Sequence, residues 1–308
     1  MRCIITGGSG FIGSHLASAL QKKMQDVLVL DIVKPTLENS VTYVAVDICD
    51  TARIQEIISD FRPNAIYHLA GVADARAAIA DPSKAVQANI TGTVNVLSAA
   101  YKSGVERVIL ASSSWVYNAM RYGVVDEQEP FLPQGGGHIY TSTMIAREFL
   151  AHDFLRLYGL HFTVLRYSPI YGPGMWPGLA VNAFIEAAQA GGPIIVFGNG
   201  EEVRPFLYIE DLVEAFLLSL QPKAADQVYN LQGLEAVTVN ELAHIISDMF
   251  GGVEIVHRDE STRRGELNYP GRFISNEKAL SELHWQPHVT LREGIAQVLA
   301  HKQLPGYM

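Results

Sequence analysis

Short runs of Val, Ile and Leu recur along the first half of the chain: CIIT, DVLVLD, VTYVAVD, NAIYHLA, RVILASSS and HFTVLRY. They are apolar at consecutive positions rather than at alternate ones, the mark of strands covered on both faces. Between most of them lie stretches with apolar residues at helical spacing: FIGSHLASALQKK, TARIQEIISDF, SKAVQANITGTVNVLSAAYKSG and TSTMIAREFLAHDFLRLYG. Gly104 and Gly159 stand where two of these helices should end, suited to a left-handed closing residue. Strands alternating with helices predict an α/β fold, a doubly wound parallel sheet with helices on both faces. After about residue 168 Gly and Pro become dense (SPIYGPGMWPG, AGGPIIVFGNG), and the elements become short and mixed. The change predicts a first domain over 1–168 and a smaller mixed α/β domain over 169–308. Some later segments, such as the helix over 211–220, are free to return to the first. No internal repeat and no low-complexity tract interrupts this plan.

Composition narrows the picture. The 308 residues are 48% apolar and 18% charged, a globular profile without a disorder signature. A net charge of −9 argues against non-specific binding to nucleic acid or to a membrane surface. It does not exclude an anionic ligand, because a local site can oppose the global charge. Cys3 and Cys49 are far apart, with no CxxC and no His cluster beside them, so neither a disulfide framework nor a metal site is expected. The opening MRCIITGG enters a strand pattern directly, without a signal-peptide layout, and no apolar run approaches membrane-spanning length. A cytoplasmic protein is the expectation.

The first chemical signal is IITGGSGFIGSHLA, which sets Gly7, Gly10 and Gly13 between the first strand and the first helix. Glycines let the backbone turn tightly and approach a pyrophosphate, and the helix N-terminus offers free N–H groups to its charge. A glycine triplet alone is weak evidence, but here the strand–loop–helix context is right. The second strand also ends in Asp31, 18 residues past Gly13. A carboxylate there accepts both hydroxyls of an adenosine ribose and favours NAD over NADP. The other reading is a Gly-rich turn with a solvated Asp31, and Lys34 nearby leaves room for NADP. Asp47, in VDICD after the third strand, suits either an adenine edge or a helix N-cap.

Together with YHLAG, NITGTVNVLSAA, ASSSWVY, Tyr140 on its helix, LRYSPIYGPG, FGNGEEVRPFLYIEDL and RRGE, this loop makes the chain resemble the extended short-chain dehydrogenase/reductase family. These are nucleotide-sugar epimerases and dehydratases, and the resemblance covers essentially the whole chain. It implies a Rossmann NAD domain, a small C-terminal domain holding a nucleoside diphosphate sugar (a UDP-sugar above all), and a homodimer. NAD is tightly held and reused each turnover. A tyrosine removes a proton from a sugar hydroxyl, at C4 in the preferred reading, while hydride moves to the nicotinamide. The keto-sugar is then epimerised or dehydrated. The residue roles that follow are also what the resemblance implies. Tyr140 is the acid/base, and Ser113 hydrogen-bonds the reacting oxygen. Cofactor contacts fall to Gly7, Gly10, Phe11, Ile12, Gly13, Asp31, Ile32, Asp47, Ile48, Leu69, Ala70, Gly71, Asn89, Ser112, Tyr140, Tyr167 and Pro169. Ser114, Phe197, Arg204 and Arg263 serve the substrate, the two arginines through its diphosphate, which a guanidinium fork suits. Phe197 reads equally as core, Ser113 as a polar strand end, and Arg263 or the adjacent Arg264 as a surface ion pair.

Four positions depart from the family. Met144 replaces the lysine that normally follows the tyrosine by four. Ser114 and Trp115 stand where 4,6-dehydratases carry an Asp–Glu pair, which demotes that reaction. Pro169 replaces a substrate-binding asparagine. Ala78 stands where a substrate-facing serine is common, with Asp74 and Arg76 added nearby, charges that either read the sugar or, in the preferred reading, are solvated. Met144 matters most. An ordinary tyrosine ionises near pH 10, so its anion costs about 4 kcal/mol at neutral pH. A helix N-terminus returns roughly 0.3–1 kcal/mol of that, and the charge of an oxidised nicotinamide adds more. Tyr140 is therefore expected to work under a handicap, better at alkaline pH, in an NAD-dependent nucleotide-sugar epimerase. The alternatives are a dehydratase or reductase of the same family, or an impaired NAD-binding scaffold with a vestigial Tyr140. The helices Ser83 to Tyr101 and Thr141 to Tyr158 are expected at a two-fold interface, the second carrying Met144, Ile145, Phe149, Phe154 and Leu157.

Overall fold

A computed structural model describes residues 1–35, 41–117, 123–132, 137–259 and 273–302. In chain order the first half contains β1 (Arg2–Thr6), α1 (Phe11–Lys22), β2 (Asp26–Asp31), β3 (Thr42–Ala45), α2 (Thr51–Phe61) and β4 (Ala65–His68). There follow α3 (Ala75–Ala80), α4 (Pro82–Val86), α5 (Gly92–Lys102), β5 (Arg107–Ser113), β6 (Val124–Val125), α6 (Ile139–Tyr158) and β7 (Phe162–Tyr167). The second half begins with β8 (Ile170–Tyr171), α7 (Ala180–Gln189), β9 (Ile194–Phe197), β10 (Val203–Arg204), β11 (Leu207–Tyr208), α8 (Ile209–Leu218) and β12 (Gln227–Leu231).

Seven strands form one sheet in the order β12-β7-β5-β4-β1-β2-β3, every neighbouring pair parallel. This is the doubly wound α/β sheet the apolar runs predict. Both faces are buried, yet the side chains still alternate. Cys3, Ile5, Val27 and Val29 enter one core with Leu16 and Leu20 of α1, while Ile4, Leu28 and Leu30 enter the other with Ile54 of α2 and Val96 of α5. Two buried faces erase the polar half of the alternation, which is why the runs read as continuous.

Two features were not legible in the pattern. The stretch from Ser83 to Gly104 reads as one helix, but Gln87–Thr91 forms a π-helical turn between α4 and α5. The sheet's last strand, β12, comes from well beyond residue 168 and pairs with β7 from Gln227↔Thr163 to Leu231↔Tyr167. α8 likewise packs on α1. The remaining later strands form two-stranded pairs such as β8 with β11.

Candidate active site

The chain leaves β1 through α1 toward one face of the sheet and leaves β4 toward the other. A crevice therefore opens beyond the carboxyl ends of these neighbouring strands. Gly7 follows β1 with φ +72, and a Cβ there would lie 2.6 Å from the Ala70 nitrogen after β4. A Cβ on Gly13 would lie 2.3 Å from the Gly7 carbonyl oxygen. The loop thus needs glycine both to turn and to let backbone touch backbone. Gly10 caps α1 without a side-chain bond, so the first-turn N–H groups at Phe11, Ile12 and Gly13 have no helical acceptor. A pyrophosphate fits that cradle. At the rim, the Asp31 carboxylate accepts from Ser9 N–H at 3.0 Å and Val33 N–H at 3.1 Å, which ties the strand end to the glycine loop. Ile32 beside it is 67% exposed, in place to lie under an adenine.

Other predicted cofactor residues sit deeper. Asp47 accepts from Cys49 N–H at 2.8 Å, while Asp50 caps α2 through Arg53 N–H at 3.0 Å. Helix capping is therefore the work of Asp50. Ile48 is buried against Gly92, where a Cβ would come within 2.4 Å of its Cδ1. Leu69 N–H donates to Thr6 O at 3.0 Å, and Ala70 carries the loop to Gly71, whose φ is +150. Asn89, expected to contact the cofactor, is fully buried on the π-turn. Its amide holds both the N–H and the C=O of Val72, at 2.7 and 3.0 Å, and donates to Thr143 Oγ1 at 2.9 Å. Its side chain is spent on shaping the turn after β4. Ser112 is likewise spent, its hydroxyl donating to Glu148 at 2.5 Å.

Strand alternation turns Ser113 the other way. Its oxygen accepts from Trp115 N–H at 3.2 Å, and its side chain lies near enough to the Tyr140 phenol to lower that group's pKa. Tyr140 is the second residue of α6, whose N-cap is His138. The rings of Trp115 and His138 lie 6.2 and 6.0 Å from the Tyr140 ring and wall it from the solvent side. Burial around the phenol pushes its pKa up, and the nearby Ser113 and the charge of Arg147 pull it down. Tyr167, at the end of β7, adjoins this group, its own phenol pushed up by burial and by Tyr140. Met144 is buried with Val116, Tyr117, Val125 and Ile274, a small apolar cluster that has closed around the thioether.

The expected substrate residues are more scattered. Ser114 is buried at the start of a 3-10 turn after β5. Pro169 accepts from Leu207 N–H at 2.8 Å and so joins β8 to β11. Arg204 lies on β10, 3.8 Å from Glu202, and Phe197 ends β9, half-buried. Arg263 and Arg264 lie outside the described residues. Asp74 is spent as the N-cap of α3, Arg76 lies over the Trp176 ring at 6.0 Å, and Ala78 is fully buried. Among the described residues no group of three His, Cys, Asp or Glu side chains is placed to hold a metal, and no helix is long and apolar enough to cross a membrane.

Sequence reasoning passed over Arg147 and Glu148. In AREFL they read as an ordinary solvated pair, yet both are buried on α6. Glu148 pairs with Arg166 of β7 at 2.6 Å. Arg147 donates to Thr93 Oγ1 at 3.2 Å, Ala111 O at 3.1 Å and Ala70 O at 2.9 Å. A buried charge in a helix facing the crevice was the signal available, but only the helix's orientation makes it readable.

Fold and site together define a dinucleotide-binding enzyme with a half-buried tyrosine and a buried serine at the mouth of the crevice. The model of the NAD dependent epimerase/dehydratase family matches residues 3–231. The chain belongs to that family, and NAD is its cofactor. It is 31% identical to the UDP-glucose 4-epimerase of Mycolicibacterium smegmatis, with 97% of each chain covered. It is 27% identical to the human dTDP-D-glucose 4,6-dehydratase, over 97% of this chain and 89% of the other. Among solved structures it superposes on the UDP-glucose 4-epimerase of Thermotoga maritima with UDP-glucose, with a TM-score of 0.90, 30% identity and 98% of each chain covered. The UDP-glucuronic acid 4-epimerase of Bacillus cereus, in complex with UDP-glucuronic acid and NAD, gives a TM-score of 0.85 at 26% identity, again over 98% of each chain.

Proposed function

We propose that the protein is an NAD-dependent nucleotide-sugar epimerase that oxidises C4 of a UDP-sugar transiently and restores it with inverted configuration. The observation that carries the reading is the placement of Tyr140 at the start of α6 and Ser113 at the end of β5, beyond the carboxyl edge of the sheet, with Ser113 near enough to lower the phenol's pKa. In this reading Tyr140 takes the proton of the C4 hydroxyl and later returns it, and Ser113 steadies the reacting oxygen. Bound NAD would supply the hydride acceptor and donor, held by the glycine loop and Asp31. The chain's task between the two transfers is to let the keto-sugar turn over while its diphosphate stays held. Arg204 and Arg263 are the residues proposed for that hold, and the segment from 169 onward, its returning α8 and β12 apart, is proposed as the sugar-nucleotide domain. Epimerisation is favoured over 4,6-dehydration because Ser114 and Trp115 carry no carboxylic acid, and Glu148 is committed to Arg166.

The UDP-4-epimerases among the relatives support the choice of base and carbon. The test is to supply purified, NAD-saturated protein with UDP-, GDP-, CDP- and dTDP-sugars and to follow the C4 epimer by chromatography. Conversion of a UDP-sugar is expected. Retained NAD with no conversion of any sugar nucleotide would leave an NAD-binding scaffold instead.

We also infer a homodimer through α5 and α6. Phe149 and Leu157 are 55% and 63% exposed on α6, and Tyr158 stacks on Tyr101 of α5 with ring centroids 4.9 Å apart. Met144 and Phe154, grouped with them in the sequence, are buried within the subunit instead. Light scattering at micromolar concentration should give twice the monomer mass, and Leu157→Glu should shift it toward the monomer. A native protein that scatters as a monomer rules this out.

A further inference from the structure

Arg147 follows Tyr140 by seven residues on α6. Seven residues are close to two helical turns, so both side chains leave the same face, and a long helical side chain leans back toward the N-terminus. Met144 lies between them on that face. The Arg147 side chain is 2% exposed. Its three hydrogen bonds all go to neutral oxygens: one hydroxyl, the carbonyl of Ala70 just after β4 and that of Ala111 within β5. Its Nη2 also touches the Gly71 turn, where a Cβ would lie 2.9 Å away.

None of the surrounding groups cancels this charge. His68 of β4 is bonded at Nδ1 to Thr6 Oγ1 (2.8 Å) and at Nε2 to Thr93 Oγ1 (2.9 Å). Thr93 already donates its proton to Asn89 O at 2.7 Å, so it accepts from both Arg147 and His68. His68 is therefore the Nε2–H tautomer, and burial holds its pKa far below the ordinary value, so it is neutral. Glu148, next in the chain, is neutralised by Arg166. His138, on the far side of Tyr140, is also lowered by burial. The remaining titratable neighbours of Arg147 are the phenols of Tyr140 and Tyr167. Burial brings Arg147 down to about 10, which leaves it charged at neutral pH. A buried cation without a carboxylate is costly and calls for an anion that forms when the site works.

We propose that Arg147 is a positioning residue whose fixed charge favours the ionised form of Tyr140, the electrostatic task that a lysine at position 144 would otherwise perform. The inference rests on Tyr140 being the acid–base residue. Arg147 does not take over the lysine's other task. Its Nε, Nη1 and Nη2 are turned into Thr93, Ala111 and Ala70, so the ribose hydrogen bonds of a lysine are not replaced.

The test needs no turnover. NAD-saturated protein carrying 13Cζ-tyrosine is titrated by NMR, with Tyr140 assigned by its loss in Tyr140→Phe. In Arg147→Met the Tyr140 titration should move up by about 1–2 pH units. Arg147→Lys should stay near native, and Met144→Lys/Arg147→Met should return most of the shift. A folded Arg147→Met that titrates as native overturns the proposal. Should that variant not fold, native protein with 13Cζ-arginine decides. The Arg147 resonance should move through the Tyr140 titration and stay flat in Tyr140→Phe, and a native resonance that does not move overturns it. Conversion of UDP-glucose by Tyr140→Phe is the separate check on the catalytic reading. Full activity there sinks that reading while the charge coupling still stands or falls on its own titration.

Discussion

Two arginines are buried within a few residues of each other in the fold, and they live differently. Arg166 on β7 meets Glu148 with its Nε and Nη2, at 2.6 to 3.1 Å, and also bonds the Tyr117 hydroxyl. Its charge is matched, and the pair raises the pKa of its guanidinium. Arg147, one residue before Glu148 on α6, meets only a hydroxyl and two carbonyls, and its pKa falls. The first arrangement is a closed ion pair joining α6 to the sheet beside Ser112. The second is an open charge beside the tyrosine proposed to become an anion. The difference teaches that burial alone does not tell a structural ion from a working one. What tells them apart is whether the compensating charge is already present.

Tyr140→Phe should have the largest effect. It removes the group that Arg147 serves and should lower turnover of the true sugar nucleotide by about 10²–10⁴-fold, with NAD binding nearly intact by fluorescence titration. Next is the contrast in stability. Glu148→Gln leaves Arg166 buried and unmatched and should cost about 3–5 kcal/mol in urea unfolding. Arg147→Met loses neutral hydrogen bonds and an uncompensated charge together and should cost no more than about 2 kcal/mol. Equal losses would erase the distinction between the two arginines.

The pH profile sharpens it further. The Tyr140 pKa is raised, so the phenolate is the minority form at neutral pH. Native turnover should therefore climb by about tenfold per pH unit below that pKa, and a flat profile across pH 7–9 would count against a tyrosine base. Asp31→Ala should narrow the preference for NAD over NADP by about tenfold, because a 2′-phosphate no longer meets a carboxylate. The smallest change is expected from Met144→Lys. Repulsion from Arg147 and burial in the Val116, Tyr117, Val125 and Ile274 cluster both disfavour the charged form of that lysine, so it adds little while Arg147 is present, in contrast to the double variant. Its rate at pH 7 should stay within about threefold of native. A large gain would mean that the lysine is charged beside Arg147 and that the two charges add.

Much of the fold could be read from local signals. The six early strands lie where the apolar runs are, and Gly159 ends α6 in the left-handed conformation that its position implies. β12 escaped because QVYNL is too short to be told from a loop-side strand, and its place beside β7 depends on a partner far away in the chain. The π-turn escaped because its residues are ordinary helix formers, and the bulge exists to aim Asn89 at Val72 and Thr143. At the site, the motifs place Tyr140 at the start of α6 and Ser113 at the end of β5, where the fold has them. The commitment of Ser112 to Glu148 was not, although strand alternation already required the two serines to part.

By itself, then, the sequence determined the parallel sheet, the glycine turn and the place of Tyr140 at the start of its helix. Apolar run length, glycine freedom and a short motif are properties of neighbouring residues. It also determined that no lysine stands at 144. Only the tertiary structure decided where the missing charge went. Charge compensation depends on distances between elements far apart in the chain. Glu148 finds its partner on β7, while Arg147, beside it, finds the carbonyls of Ala70 and Ala111 and no acid at all.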